Sequence, residues 1–148
     1  MSRSLRVPAR PLVRFVAVGL LIAVLASCRP MSSNEAQLFV ATNSFRAQHG
    51  LQALGQQDAL EDQARAWAQT MAAQGVLSHS DPNTWRVQWT AVAENVGVST
   101  SMDDLVRRLE ASPEHSANML STTYTHMAVG TAKGKDGRIY AAQLFWRA

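Results

Sequence analysis

The 148-residue chain holds one cysteine, Cys28, so no intramolecular disulfide can staple it and any fold must rest on a buried apolar core. The same residue ends the passage that sets how much chain there is to fold. Four arginines, Arg3, Arg6, Arg10 and Arg14, precede the unbroken apolar run Phe15 to Ala26, and Cys28 follows two residues later. That run falls short of the roughly 20 residues a helix needs to span a bilayer. A basic stretch followed by a short apolar one is instead the pattern of an export leader, and the remaining chain is enough for one domain.

Charge changes meaning once the leader is set aside. The whole chain carries 14 Lys and Arg against 11 Asp and Glu, a formal charge of +3 with pI ≈ 9.6, a balance that points toward nucleic acid or anionic membranes. Loss of the four leader arginines and of no acid leaves ten basic residues against 11 acidic ones, a formal charge of −1. Only Arg107 and Arg108 then stand side by side, so no nucleic-acid partner is expected. A hydrophobic content of 47% with 17% charged residues excludes disorder for the chain as a whole.

Leu25-Ala26-Ser27-Cys28 resembles the lipobox of bacterial lipoproteins, an aliphatic residue, two small ones, and the cysteine that is acylated and becomes the mature N-terminus. The resemblance implies a signal peptide at 1–27, palmitate-type acylation of Cys28, a tether at 28–33, and a lipid anchor on the extracytoplasmic side of a membrane in the bacterial cell envelope. Acyl chains contribute about 0.8 kcal/mol per buried methylene, and two or more make a stable anchor. Acylation also removes the thiol, which excludes redox or nucleophilic work by this cysteine.

Residues 34–148 read as one domain. Ser32 stands three residues before Glu35, the spacing of a capping box, and opens a helix to about Gln48 with Leu38, Ala41 and Phe45 on one face. Asp58 and Glu61 open a second helix, whose Leu60, Ala64, Trp67 and Met71 recur at helical spacing and which Gly75 stops. Asp81-Pro82-Asn83 is a turn, and Trp85, Val87 and Trp89 alternate as on a strand. A third helix starts near Ser101, with Asp104 three residues on, and buries Met102, Leu105 and Leu109. Ser112-Pro113, a capping hydroxyl before a proline, opens a short fourth helix holding His115 to Leu120. Met127, Val129 and Thr131 pair with Ile139 to Trp146 across an Asp-Gly turn. Helices followed by a hairpin indicate an α+β fold with an antiparallel sheet.

Four histidines, His49, His79, His115 and His126, are the residues able to bind metal or move protons near neutral pH. No zincin, zinc-ribbon, nucleophile-elbow or P-loop motif accompanies them. The order of short segments is more telling. Asn43-Ser44-Phe45-Arg46, His49-Gly50-Leu51, the helix from Leu60 to Met71, Ser78-His79-Ser80, Ala93-Glu94-Asn95-Val96, Ser112-Pro113-Glu114-His115-Ser116-Ala117-Asn118-Met119-Leu120, Tyr124 to Gly130 and Tyr140 to Phe145 together resemble the CAP superfamily. Its members are the cysteine-rich secretory, antigen 5 and pathogenesis-related-1 proteins, with an SCP-like domain, here in compact bacterial form. The resemblance implies an α-β-α sandwich with a mainly antiparallel central sheet and a cleft floored by two histidines and two acids. By position, His79 and His115 match the histidines and Glu94 the first acid. The chain departs from the family pattern where Leu109 and Ser112 replace a tryptophan and the second acid, and where Glu114 replaces a glycine before His115. Glu110 and Glu114 are the candidates for the missing carboxylate, although Glu114, adjacent to His115 on a helix, should point about 100° away from it.

The cleft residues also have purely structural alternatives. His49 at a helix C-terminus suits capping, and His126, opening a strand among aromatics, suits packing. Ser78, Ser80 and Ser112 lie near the histidines but lack the rest of a nucleophilic arrangement. Asn95 and Asn118 suit loop-tying amide bonds, and Trp85 and Trp89 suit either a ligand-stacking pair or the core. The leading function is ligand binding without turnover: a lipid, glycan or peptide held in the His79, Glu94, His115 cleft of a monomeric, envelope-anchored domain, with a divalent metal such as zinc on His79 and His115 as an optional cofactor. The alternatives are a metal-assisted hydrolase with Glu94 as general base and a scaffold contacting other envelope proteins.

Overall fold

The computed structural model describes residues 30–148; the expected signal peptide and the expected acylation of Cys28 lie outside the described residues. The elements are α1 (Ser33–Gln48), β1 (Gly55–Gln56), α2 (Asp58–Gln74), a 3-10 turn (Pro82–Thr84), β2 (Ala91–Ser99), α3 (Met102–Ala111), α4 (Pro113–Leu120), β3 (His126–Lys133) and β4 (Ile139–Arg147). The strands form one sheet in the order β1-β3-β4-β2, parallel between β1 and β3 and antiparallel elsewhere. None of the helices among the described residues is long and apolar enough to cross a membrane.

Alternation along the strands builds the sandwich. Met127, Val129, Ala141 and Phe145 project to one face of the sheet and meet Leu38 of α1, Met102, Leu105 and Leu109 of α3, and Met119 of α4. Their neighbours Ala128, Tyr140, Ala142 and Leu144 project to the other face and meet Leu60, Ala64 and Met71 of α2. Both faces of β3 and β4 are thus covered, which is why these strands read as nearly continuous apolar runs. Each large side chain fully buried in this way contributes about 1.5–3 kcal/mol. Gly130 sets the depth of the α2 contact, because a Cβ there would come 2.1 Å from the carbonyl carbon of Ala64.

The capping signals are realised in most places. Ser32 and Glu35 form the reciprocal box, Ser101 accepts from the amide of Asp104, and Gly75 ends α2 at φ +69°. Ser112 is at the N-cap of α4 with Pro113 in the first turn, but its hydroxyl makes no capping bond. The buried face of α1 also differs from the apolar stripe. Glu35, Leu38, Thr42 and Arg46 are the buried positions, because three polar side chains have internal partners. Arg46 donates to the carbonyls of Gln52, Met119 and Ser121 at 2.7–2.8 Å, tying α1 to the end of α4. Glu35 and Glu61 share Arg65, each at 3.0 Å. Burial pushes the Glu35 carboxyl up, but Arg65 and Ser32 outweigh it and hold the pKa below the usual carboxylate value, whereas burial of Glu61 prevails and raises its pKa.

The alternation of Trp85, Val87 and Trp89 does not make a strand. Asp81 caps the 3-10 turn, Pro82 occupies its first position, and regular pairing begins at Ala91. Trp85 is buried on Leu60, Ala64 and Leu144, while Trp89 is 40% exposed. The two indoles are anchored differently and do not form a stacking pair.

Candidate functional site

β2 lies at the end of the sheet order and pairs only with β4, so its other edge faces outward between the two helical layers. The period of two places Glu94 on the α2 face and Asn95 on the opposite one. This single step in the chain draws in the two flanking segments, the loop after α2 on one side and α4 on the other.

On the α2 side, Nδ1 of His79 lies 2.7 Å from Oε2 of Glu94. Ser80 donates its amide to the same oxygen at 2.9 Å and its hydroxyl to Oε1 at 2.7 Å, and Trp85 Nε1 donates to the Ser80 hydroxyl at 3.0 Å. Because the carboxylate accepts throughout this array, Nδ1 of His79 is the donor and Nε2 is left as the basic nitrogen. The Glu94 side chain is 7% exposed and that of His79 63%, so a buried acid carries an exposed imidazole. A concavity of about 230 Å³ lined by His79, Ser80, Trp85 and Glu94 opens beside them.

On the other side, Asn95 is fully buried. Its amide donates to the backbone carbonyl of His115 and to Gln143 Oε1, both at 3.0 Å, and its oxygen accepts from Asn118 at 2.9 Å. Gln143 passes the chain on to Thr42 at 2.7 Å, and Thr42 to the carbonyl of Leu38 at 2.8 Å. This polar thread runs between the sheet and the helices on one of its faces, from α4 to α1, and ties the backbone of His115 to the core. The His115 imidazole has a buried Nδ1 with no partner. Burial lowers its pKa, and Glu114 opposes that shift. Burial thus favours the neutral ring.

The sequence model of the cysteine-rich secretory protein family, CAP, matches residues 39–146. The chain belongs to the CAP family. Proteins of this family are typically extracellular or secreted. The CAP fold agrees with solved structures: an outer surface protein of Borrelia burgdorferi has a TM-score of 0.72 at 16% identity, covering 80% of this chain and 96% of that one. A cysteine-rich secretory protein of Staphylococcus aureus has a TM-score of 0.63 at 22% identity, covering 81% of this chain and 41% of that one. NaASP2, solved with Zn2+, has a TM-score of 0.58 at 14% identity, covering 78% and 80%. Comparison with curated proteins returns no significant match.

In this CAP domain the donor set does not fit a resident zinc ion, which in enzymes takes three protein ligands and keeps one position open. Among the described residues no three His, Cys, Asp or Glu side chains gather as a ligand set. His79 and His115 supply two imidazoles, and both oxygens of Glu94 are engaged. Glu114 is exposed and reaches His115 only through its field. Glu110 makes no hydrogen bond to either histidine among the described residues, so neither acid replaces the carboxylate that Ser112 lacks. His49 caps α1, its Nδ1 2.8 Å from the carbonyl of Phe45, and His126 packs edge-on against Trp146 at 5.4 Å. Both lie apart from the cleft.

Ser80, Trp85 and Gln143 are the site residues that spacing did not single out for the part they play. The one available signal was Gln143, an amide in the middle of an apolar strand, where a buried polar side chain demands a partner.

Proposed function

We propose that the chain is an extracytoplasmic protein, anchored in the bacterial envelope through acylated Cys28, whose CAP domain binds a lipid, glycan or peptide ligand in the His79, Glu94, His115 cleft without turning it over. The observation that carries this reading is the state of Glu94. A general base needs a lone pair directed at water within hydrogen-bond reach, and this carboxylate spends both oxygens on His79 and Ser80. What it supplies is orientation: an imidazole held with Nε2 outward, ready to accept a hydrogen bond from a ligand. With both Glu94 oxygens engaged, the hydrolase alternative loses the general base assigned to it, and no third metal ligand gathers with the two histidines among the described residues. Zinc on the two histidines is the second reading, favoured by the NaASP2 structure with Zn2+.

Calorimetric titration of the metal-stripped full chain with zinc separates these readings. Binding without a third ligand predicts no saturable uptake in the micromolar range. Stoichiometric uptake lost in both His79→Ala and His115→Ala would instead make the cleft a metal centre, and hydrolysis abolished by Glu94→Gln in a folded protein would make it catalytic. For the anchor, supported by the sequence Leu25 to Cys28, cells fed an alkyne-tagged palmitate should label the parent chain and leave Cys28→Ser unlabelled. Equal labelling of both would remove the anchor.

A further inference from the structure

Beside the histidine array, the outer edge of β2 borders a second concavity, of about 260 Å³. Its wall is aliphatic: Leu77 from the loop after α2, Val96 and Val98 from β2, and Leu105 and Leu109 from α3. Residues from opposite layers of the sandwich can line one cavity only at the sheet edge, so it opens outward there. Leu77 is 44% exposed and forms the solvent-facing part of this wall, behind which Val96, Leu105 and Leu109 are buried. The polar residues lining it are Arg108, Ser112 and His115. Arg108 binds Asp104 through Nε at 2.6 Å, which leaves its terminal amino groups to donate elsewhere. The Ser112 hydroxyl makes no capping bond, and His115 keeps an unpartnered Nδ1. Where the family pattern places an acid, this chain therefore presents a hydroxyl next to the cavity's one formal charge, a cation.

From this combination we infer that the cavity binds a carboxylate on a short aliphatic chain, the tail among Leu77, Val96, Val98, Leu105 and Leu109 and the anion at Arg108 and Ser112. The volume holds roughly eight or nine water-sized groups, which suits a medium-chain acid or the terminal leucine of a peptide and is too small for a long acyl chain. The inference rests on the binding reading above and names a ligand class for it.

The test uses the full chain in lipid nanodiscs, followed by NMR titration with octanoate, with N-acetyl-leucine, and with octanol as the uncharged control. Saturable shifts at Val96 to Val98, with octanol at least roughly tenfold weaker than the better acid, are expected for a charge-assisted hydrogen bond. Arg108→Gln, a change on an exposed side chain, should erase that tenfold preference and leave octanol affinity unchanged. Tighter octanoate identifies a free acid as the source, and tighter N-acetyl-leucine a chain terminus. Equal binding of octanoate and octanol, or a preference that survives Arg108→Gln, overturns the inference. If the acids bind but are lost with His79→Ala and not with Arg108→Gln, the ligand sits on the histidine array: this inference fails while the binding reading stands. If they fail to bind at all while another ligand depends on His79 and His115, the inference again fails alone.

Discussion

Asn95 and Glu94 are neighbours in sequence with separate tasks, and the difference is one of face. Glu94 turns toward the loop that carries His79, and Asn95 turns into the core and holds the backbone of His115. Asn95→Ala removes a side chain that satisfies the buried Gln143 and the part-buried His115 carbonyl and Asn118. Leaving a buried polar atom unpaired costs about 1–3 kcal/mol, and some of these groups can find water. Urea unfolding should therefore show a loss of about 2–3 kcal/mol, and a loss below about 1 kcal/mol would mean that the thread does not hold the sandwich. Family resemblance marked His79, Glu94 and His115, but the thread was not legible, because a chain of amides joining residues as far apart as Thr42 and Gln143 leaves no local pattern. Ser80 was visible as a hydroxyl near a histidine. Its partner Glu94, fourteen residues away, could not be inferred from spacing.

At the scale of elements, what the sequence announced well were the pieces with both periodicity and end signals. α2 has Leu60, Ala64 and Met71 on one stripe and Gly75 as its stop, and the hairpin of β3 and β4 has two apolar runs on either side of an Asp-Gly turn. β2 was hidden, because its residues are mostly half-buried and its edge position removes the strict in-out alternation. The two-residue β1 carries too little pattern to find. The contact between α2 and β3 was equally silent, since it depends on what Gly130 lacks. Gly130→Ala would drive a methyl into the backbone of Ala64 and Arg65, at 2.1–2.3 Å before relaxation, and no rotamer change can relieve a clash with backbone. A destabilisation of about 3 kcal/mol, at the upper end for overpacking, is expected in thermal or urea unfolding. A near-neutral effect would show that α2 can slide on the sheet.

For the whole molecule, the absence of disulfides is met by a sheet covered on both sides and by polar ties, Arg46 from α1 to α4 within one layer, Asn95 through Gln143 from the sheet to α1, and Arg65 of α2 to Glu35 of α1. Asn95 holds α4 at the β2 edge of the sheet, Glu94 and Trp67 hold the loop after α2 there, and the cleft is the result. In this account Glu94 orients a histidine rather than activating water. The direct measurement is the tautomer of His79 in the full chain, read by long-range proton–nitrogen NMR on the neutral form of the ring. The account predicts a proton on Nδ1 with Nε2 bare, and loss of that preference in Glu94→Ala. A proton resident on Nε2 in the parent, or an unchanged tautomer when Glu94 is removed, would contradict it.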